Sequence, residues 1–111
     1  MMNERRQYIR IPESTEISYR LIPETKVSGY LTRDISRGGI CFLVHEFLPV
    51  GSILKVKLRL KKNYFTFEAL VKVKWVKEDT SANRFEIGVE FTDIPPEASR
   101  YLVSYIRAIV T

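Results

Sequence analysis

Three arginines fall within six residues near the start of the chain, in Arg5-Arg6-Gln7-Tyr8-Ile9-Arg10, outside any clear amphipathic pattern. Further on, Asp34-Ile35-Ser36-Arg37-Gly38-Gly39 follows a run of strand-like residues and breaks it with two glycines. Guanidinium groups recognise phosphate oxygens and the O6/N7 edge of guanine through paired hydrogen bonds. A short carboxylate such as Asp34 can accept from guanine N1–H and N2–H₂, and Ser36 can add a hydroxyl bond to base or phosphate. Gly38 and Gly39 let the backbone turn sharply and approach a ligand closely. Together the two strings supply what an anionic guanine nucleotide needs. Each also has a plain structural reading, the first as a solvated tail and the second as an Asx- or Ser-type turn.

Little else could do chemistry. His45 beside Glu46 has no second histidine, nucleophile or metal-ligand cluster with it, so the sequence predicts no enzyme, no cofactor and no metal site. Cys41 lies in an apolar run and reads as a small core residue. One cysteine excludes a disulfide framework and fits a reducing cytoplasm. The net charge of +5 favours an anionic partner without naming one. Met1-Met2-Asn3-Glu4 opens no apolar stretch of the secretory kind, and no apolar run approaches the ~18 residues a membrane span needs.

The elements that must position these residues read mainly as strands. A half-buried strand is apolar at every second position. Ile17, Tyr19 and Leu21 alternate with polar residues, as do Leu54, Val56, Leu58 and Leu60. So do Phe65, Phe67, Ala69, Val71, Val73 and Trp75, and then Phe85, Ile87, Val89 and Phe91. Leu70 is the exception within the third run. Val27 to Asp34 and Gly39 to Glu46 are less regular but rich in strand formers. Short turns between six such runs predict an antiparallel sheet with one buried face, curled into a small barrel over residues 13–94. Ala98, Leu102, Tyr105, Ile106 and Ile109 then recur at helical spacing, predicting one helix over 95–111 packed on the barrel. Residues 1–12 read as a mobile basic arm. Alternation puts Trp75 on the face of Val71 and Val73, towards the interior, although a strand end could bring it to the rim and to a ligand base.

The order of these parts resembles a known family. R-R-x-x-x-R comes first and D-x-S-x-x-G one strand later. Leu48-Pro49-Val50-Gly51-Ser52-Ile53-Leu54 and the strand Ile87-Gly88-Val89-Glu90-Phe91 complete the order. The chain is similar over nearly its whole length to stand-alone PilZ domains, bacterial receptors for cyclic di-GMP. The resemblance implies an all-β, six-stranded antiparallel barrel with one C-terminal helix, the second messenger as ligand, and no catalysis. It carries ligand-binding roles onto Arg5, Arg6, Arg10, Asp34, Ser36, Gly38 and Gly39, and more weakly onto Trp75. The extra arginine, Arg5, leans towards two intercalated ligands per chain. An unidentified protein partner, in motility, polysaccharide synthesis or virulence control, follows from the same resemblance. The alternatives are a basic barrel binding single-stranded nucleic acid, and a ligand-blind adaptor of the same fold. Nucleic acid is disfavoured because most aromatics lie on the alternating apolar faces and the arginines cluster at one point.

Overall fold

In a computed structural model that describes residues 10–12, 15–23, 27–60 and 65–110, the described residues form seven antiparallel strands and one helix. The strands are β1 (Arg10–Pro12), β2 (Glu16–Leu21), β3 (Val27–Ser36), β4 (Gly39–Val44), β5 (Ile53–Arg59), β6 (Thr66–Asp79) and β7 (Arg84–Asp93), and the helix is α1 (Pro96–Val110). They pair in the order β1-β3-β2-β5-β6-β7-β4, and a further pairing of β3 with β4 curls the sheet into a barrel-like form. The six expected strands are all present as β2 to β7. β1 is a seventh that periodicity could not reveal in three residues.

β1 also corrects part of the expected loose arm. Ile11 lies opposite Ile35, and both are buried in the core. One well-buried isoleucine contributes roughly 1.5–3 kcal/mol, enough to hold a three-residue strand against β3. Arg5, Arg6 and the rest of that segment before Arg10 lie outside the described residues.

The core is the inner face of the sheet. Ile40, Phe42 and Val44 of β4, Leu54, Val56 and Leu58 of β5, Phe67, Ala69, Val71 and Val73 of β6, and Ile87 and Val89 of β7 all join it. Lys57 and Arg59 alternate outward into solvent, the wet face expected of that row. α1 adds Ala98, Leu102, Tyr105 and Ile106 to the core, with Pro96 in its first turn, where a missing N–H costs nothing. Tyr101 stacks on Phe65 with ring centroids 4.1 Å apart. Ile109, expected on the same stripe, is instead exposed. Among the described residues no helix is long and apolar enough to cross a membrane.

Candidate ligand-binding site

The β3–β4 turn is built on one hydroxyl. Ser36 Oγ accepts from the backbone N–H groups of Gly38 and Gly39, each at 3.1 Å, and donates to the Gly39 carbonyl at 3.3 Å. A serine hydroxyl offers one donor and two lone pairs, so this buried group is fully committed within the turn. Gly39 is fixed by a close approach. A Cβ there would lie 2.1 Å from the Val89 carbonyl oxygen, which is backbone and cannot give way. The Gly38 carbonyl in turn accepts from Phe91 N–H at 3.0 Å. These contacts give Ser36, Gly38 and Gly39 the turn-forming role directly.

β1 brings the basic string onto this turn. Arg10 lies opposite Ser36 and Pro12 opposite Asp34. Because Ile11 and Ile35 point inward, Arg10 and Asp34 project from the outer face, and Arg10 Nη1 donates to Asp34 Oδ1 at 2.5 Å. A cation and a carboxylate separated by 24 positions in sequence thus share one spot. Arg5 and Arg6, the other expected arginines, lie outside the described residues.

From Asp34 a row of residues runs across the outer face. Asp34 pairs with Cys41, Cys41 with Gly88, and Gly88 with Trp75. Cys41 was expected in the core. It is buried, but its neighbours Ile40 and Phe42 take the inward positions, leaving the thiol on the outer face. There its Sγ donates to Glu86 Oε2 at 3.3 Å, and Glu86 also meets Arg33 Nε at 3.4 Å. Burial, then the hydrogen bond to Glu86 and the charge of Asp34, push the Cys41 thiol from 9.0 up to about 12. It stays protonated and is no nucleophile at neutral pH.

Trp75 is the second correction. A bulge between Val73 and Trp75 sets Val73 opposite Val89 but Trp75 opposite Gly88. One extra residue inverts the faces beyond it. Val76 therefore lies opposite buried Ile87, and Trp75 turns outward, 37% exposed. Sequence reasoning missed Arg33, Glu86 and Gly88. The adjacent apolar pair Trp75-Val76 was the signal that alternation breaks there.

His45 lies exposed just beyond β4. Among the described residues no group of three or more His, Cys, Asp or Glu could hold a metal ion. A groove of about 760 Å³ lies elsewhere, between β5, β6 and the start of α1, and none of the motif residues lines it.

A family model described as PilZ domain matches residues 4–108. Among solved structures, the chain is similar to the inhibitor of motility MotI/DgrA from Bacillus subtilis, at 21% identity and a TM-score of 0.82, over 97% of this chain and 53% of that one. It is similar to the PilZ domain of YcgR from Escherichia coli, solved with c-di-GMP, at 18% identity and a TM-score of 0.72, over 95% of this chain and 91% of that one. The MrkH–c-di-GMP complex from K. pneumonia aligns at 18% identity and a TM-score of 0.78, over 97% of this chain and 52% of that one. The chain thus spans about half the length of MotI/DgrA and MrkH. At such identities the likeness carries the fold. No curated protein matches the chain in sequence. With a family model matched across all but its first and last few residues, the chain belongs to the PilZ domain family.

Proposed function

We propose that this chain is a bacterial cyclic di-GMP receptor, a binding module without catalytic activity that acts in the cytoplasm. The observation that carries the reading is the meeting of Arg10 with Asp34 on one outer face, beside a turn locked by Ser36 and Gly39. Arg10, with Arg5 and Arg6 ahead of it, engages the phosphates or the guanine O6/N7 edges. Asp34 accepts from a guanine Watson–Crick edge. Ser36, Gly38 and Gly39 act by holding that carboxylate in place. The segment carrying Arg5 and Arg6 orders over the ligand and alters the surface offered to a protein partner. The PilZ domain of YcgR and MrkH, both solved with c-di-GMP, add support from the same fold.

The energetics are consistent. Micromolar binding requires about −8 kcal/mol net. Ordering backbone opposes it by about 1–2 kcal/mol per residue. Arg10–Pro12 already lie in a β-ladder, so those residues add little to that cost.

Calorimetric titration with cyclic di-GMP tests the reading. Arg10→Ala is expected to abolish measurable binding while leaving thermal stability near wild type, because a partly exposed ion pair contributes only about 0–1 kcal/mol. Asp34→Ala is expected to weaken binding strongly. Wild-type affinity in the Arg10 variant would refute the assignment.

A further inference from the structure

β6 begins before β7 reaches it. Their ladder opens with Leu70 opposite Asp93, so the stretch from Thr66 to Ala69 pairs with β5 alone. Leu60 N–H donates to the Phe65 carbonyl at 2.9 Å, which points the Phe65 backbone towards β5. Backbone groups alternate in direction along a ladder, so Glu68 and Leu70 point theirs the opposite way. The Leu70 carbonyl accordingly accepts from Thr92 Oγ1 of β7 at 3.2 Å. Two residues earlier, the Glu68 N–H and carbonyl have no backbone partner on that side among the described residues. Continuing the register would set Pro95 opposite Glu68, and proline has no N–H to give. The chain then enters α1 at Pro96. The edge is left open by its own sequence.

This open edge lines the groove of about 760 Å³ between β6 and the first turn of α1. Phe65, Phe67 and Ile94 give the groove apolar walls. Glu68, Asp93 and Glu97 stand along it, and neither Asp93 nor Glu97 has an ion pair among the described residues. Lys55 and Lys57 reach it from β5, one strand behind the edge, and Lys55 is already engaged by Glu68 at 3.6 Å. A strand laid on β6 therefore meets acids. Its residue opposite Glu68 would share the outward face, and the neighbours of that residue would turn inwards over the apolar walls. Two copies of this chain joined here would set acidic edge against acidic edge, which opposes pairing.

We propose that this edge takes up an extended peptide segment of a partner protein, with alternating apolar and basic residues, as an added strand of the sheet. Main-chain bonds to Glu68 supply affinity, and the alternate side chains supply selectivity. None of the motif residues lines the groove, so its occupation requires no nucleotide.

The probe is an acetylated and amidated hexapeptide of alternating valine and lysine, titrated into the full chain by calorimetry and by backbone amide NMR shifts. Wild type is expected to bind it with a Kd below about 1 mM, and the shifts to gather at 65–70 and 93–98. Glu68→Pro removes the outward N–H and spares the β5 ladder, the placement in which an edge strand tolerates proline. It is expected to lose about tenfold in affinity, the equivalent of one missing backbone bond. Glu68→Gln keeps that N–H and is expected to stay within about threefold, while Asp93→Asn/Glu97→Gln is expected to lose about threefold at low salt. A peptide with glutamate in place of lysine is expected not to bind. No binding to wild type, wild-type affinity in Glu68→Pro, or equal affinity for the glutamate peptide would overturn the inference, whatever the outcome of the cyclic di-GMP titration. A wild-type dimer that Glu68→Pro dissolves, seen by sedimentation, would assign the edge to a second copy and overturn it too. Should Glu68→Pro fail to fold, backbone N-methylation of the peptide decides. Methylated lysine amides, which would face β6, are expected to abolish binding and methylated valine amides to preserve it, and the same affinity for both would overturn the inference.

Discussion

Two hairpin turns, β3–β4 and β6–β7, each rest on one side chain that gathers its own neighbours, yet they differ in burial. At β3–β4 the Ser36 hydroxyl is buried with three bonds to backbone, in register with Arg10 and two residues from Asp34. At β6–β7 the Asp79 carboxylate accepts from Ser81 Oγ at 2.7 Å and from Arg84 Nε at 3.2 Å in the open. Water can replace a lost bond in the second turn and not in the first. Of these two turns, only the one at the proposed site is held by a buried group.

Substitutions can break that contrast, and the largest effect is expected at Gly39. Gly39→Ala drives a Cβ into the Val89 carbonyl, so urea unfolding is expected to show a loss of about 1–3 kcal/mol, the usual cost of overpacking, or more since the obstacle is backbone. Ser36→Ala leaves two turn N–H groups without their acceptor and is expected to lose about 1–3 kcal/mol. Asp79→Ala is expected to show a far smaller change in the same assay. Should the two turn variants prove equally harmful, the burial argument fails. At Asn83, whose φ is 53°, replacement by Ala is expected to lose about 1 kcal/mol, and by Gly almost nothing.

pH should separate the two regions as well. The folded state holds the Cys41 proton more tightly than the unfolded chain does. Its contribution is complete below about 9 and is given up as pH rises towards about 12. Asp79 runs the other way. The hydrogen bonds from Ser81 and Arg84 hold its carboxyl below 3.8, so its contribution is present above that value and lost as pH falls through it. Cys41→Ala is expected to flatten the alkaline arm of a stability–pH curve and leave the acid arm unchanged. An unaltered alkaline arm would contradict the burial of the thiol.

Much of this was legible in the sequence because one-sided burial writes itself as alternation. Leu54, Val56 and Leu58, or Phe67, Ala69 and Val71, could be assigned to the inner face by counting in twos. Counting fails where the backbone inserts a residue. The bulge before Trp75 reversed its facing, and its one trace in the sequence is the adjacent apolar pair Trp75-Val76. Cys41 misled for a different reason. An apolar neighbourhood suggests the core, but it is hidden on the outside, against Glu86. The turn chemistry of Ser36 was readable from type and spacing. That the basic string and the acidic turn meet was expected from their shared ligand, but the means was not, since β1 owes its place to Ile11 meeting Ile35 across the fold.

The Arg10–Asp34 pair has a consequence for ionic strength. An arginine standing in solvent sheds a dissolved counterion when it meets phosphate, so added salt weakens the encounter. Arg10 is already neutralised by a carboxylate of its own chain. Under the proposed function, a dianion that takes Arg10 releases Asp34 instead, leaving that oxygen free to accept from the same newcomer. Such an internal exchange makes affinity less sensitive to salt than a tally of arginines would suggest.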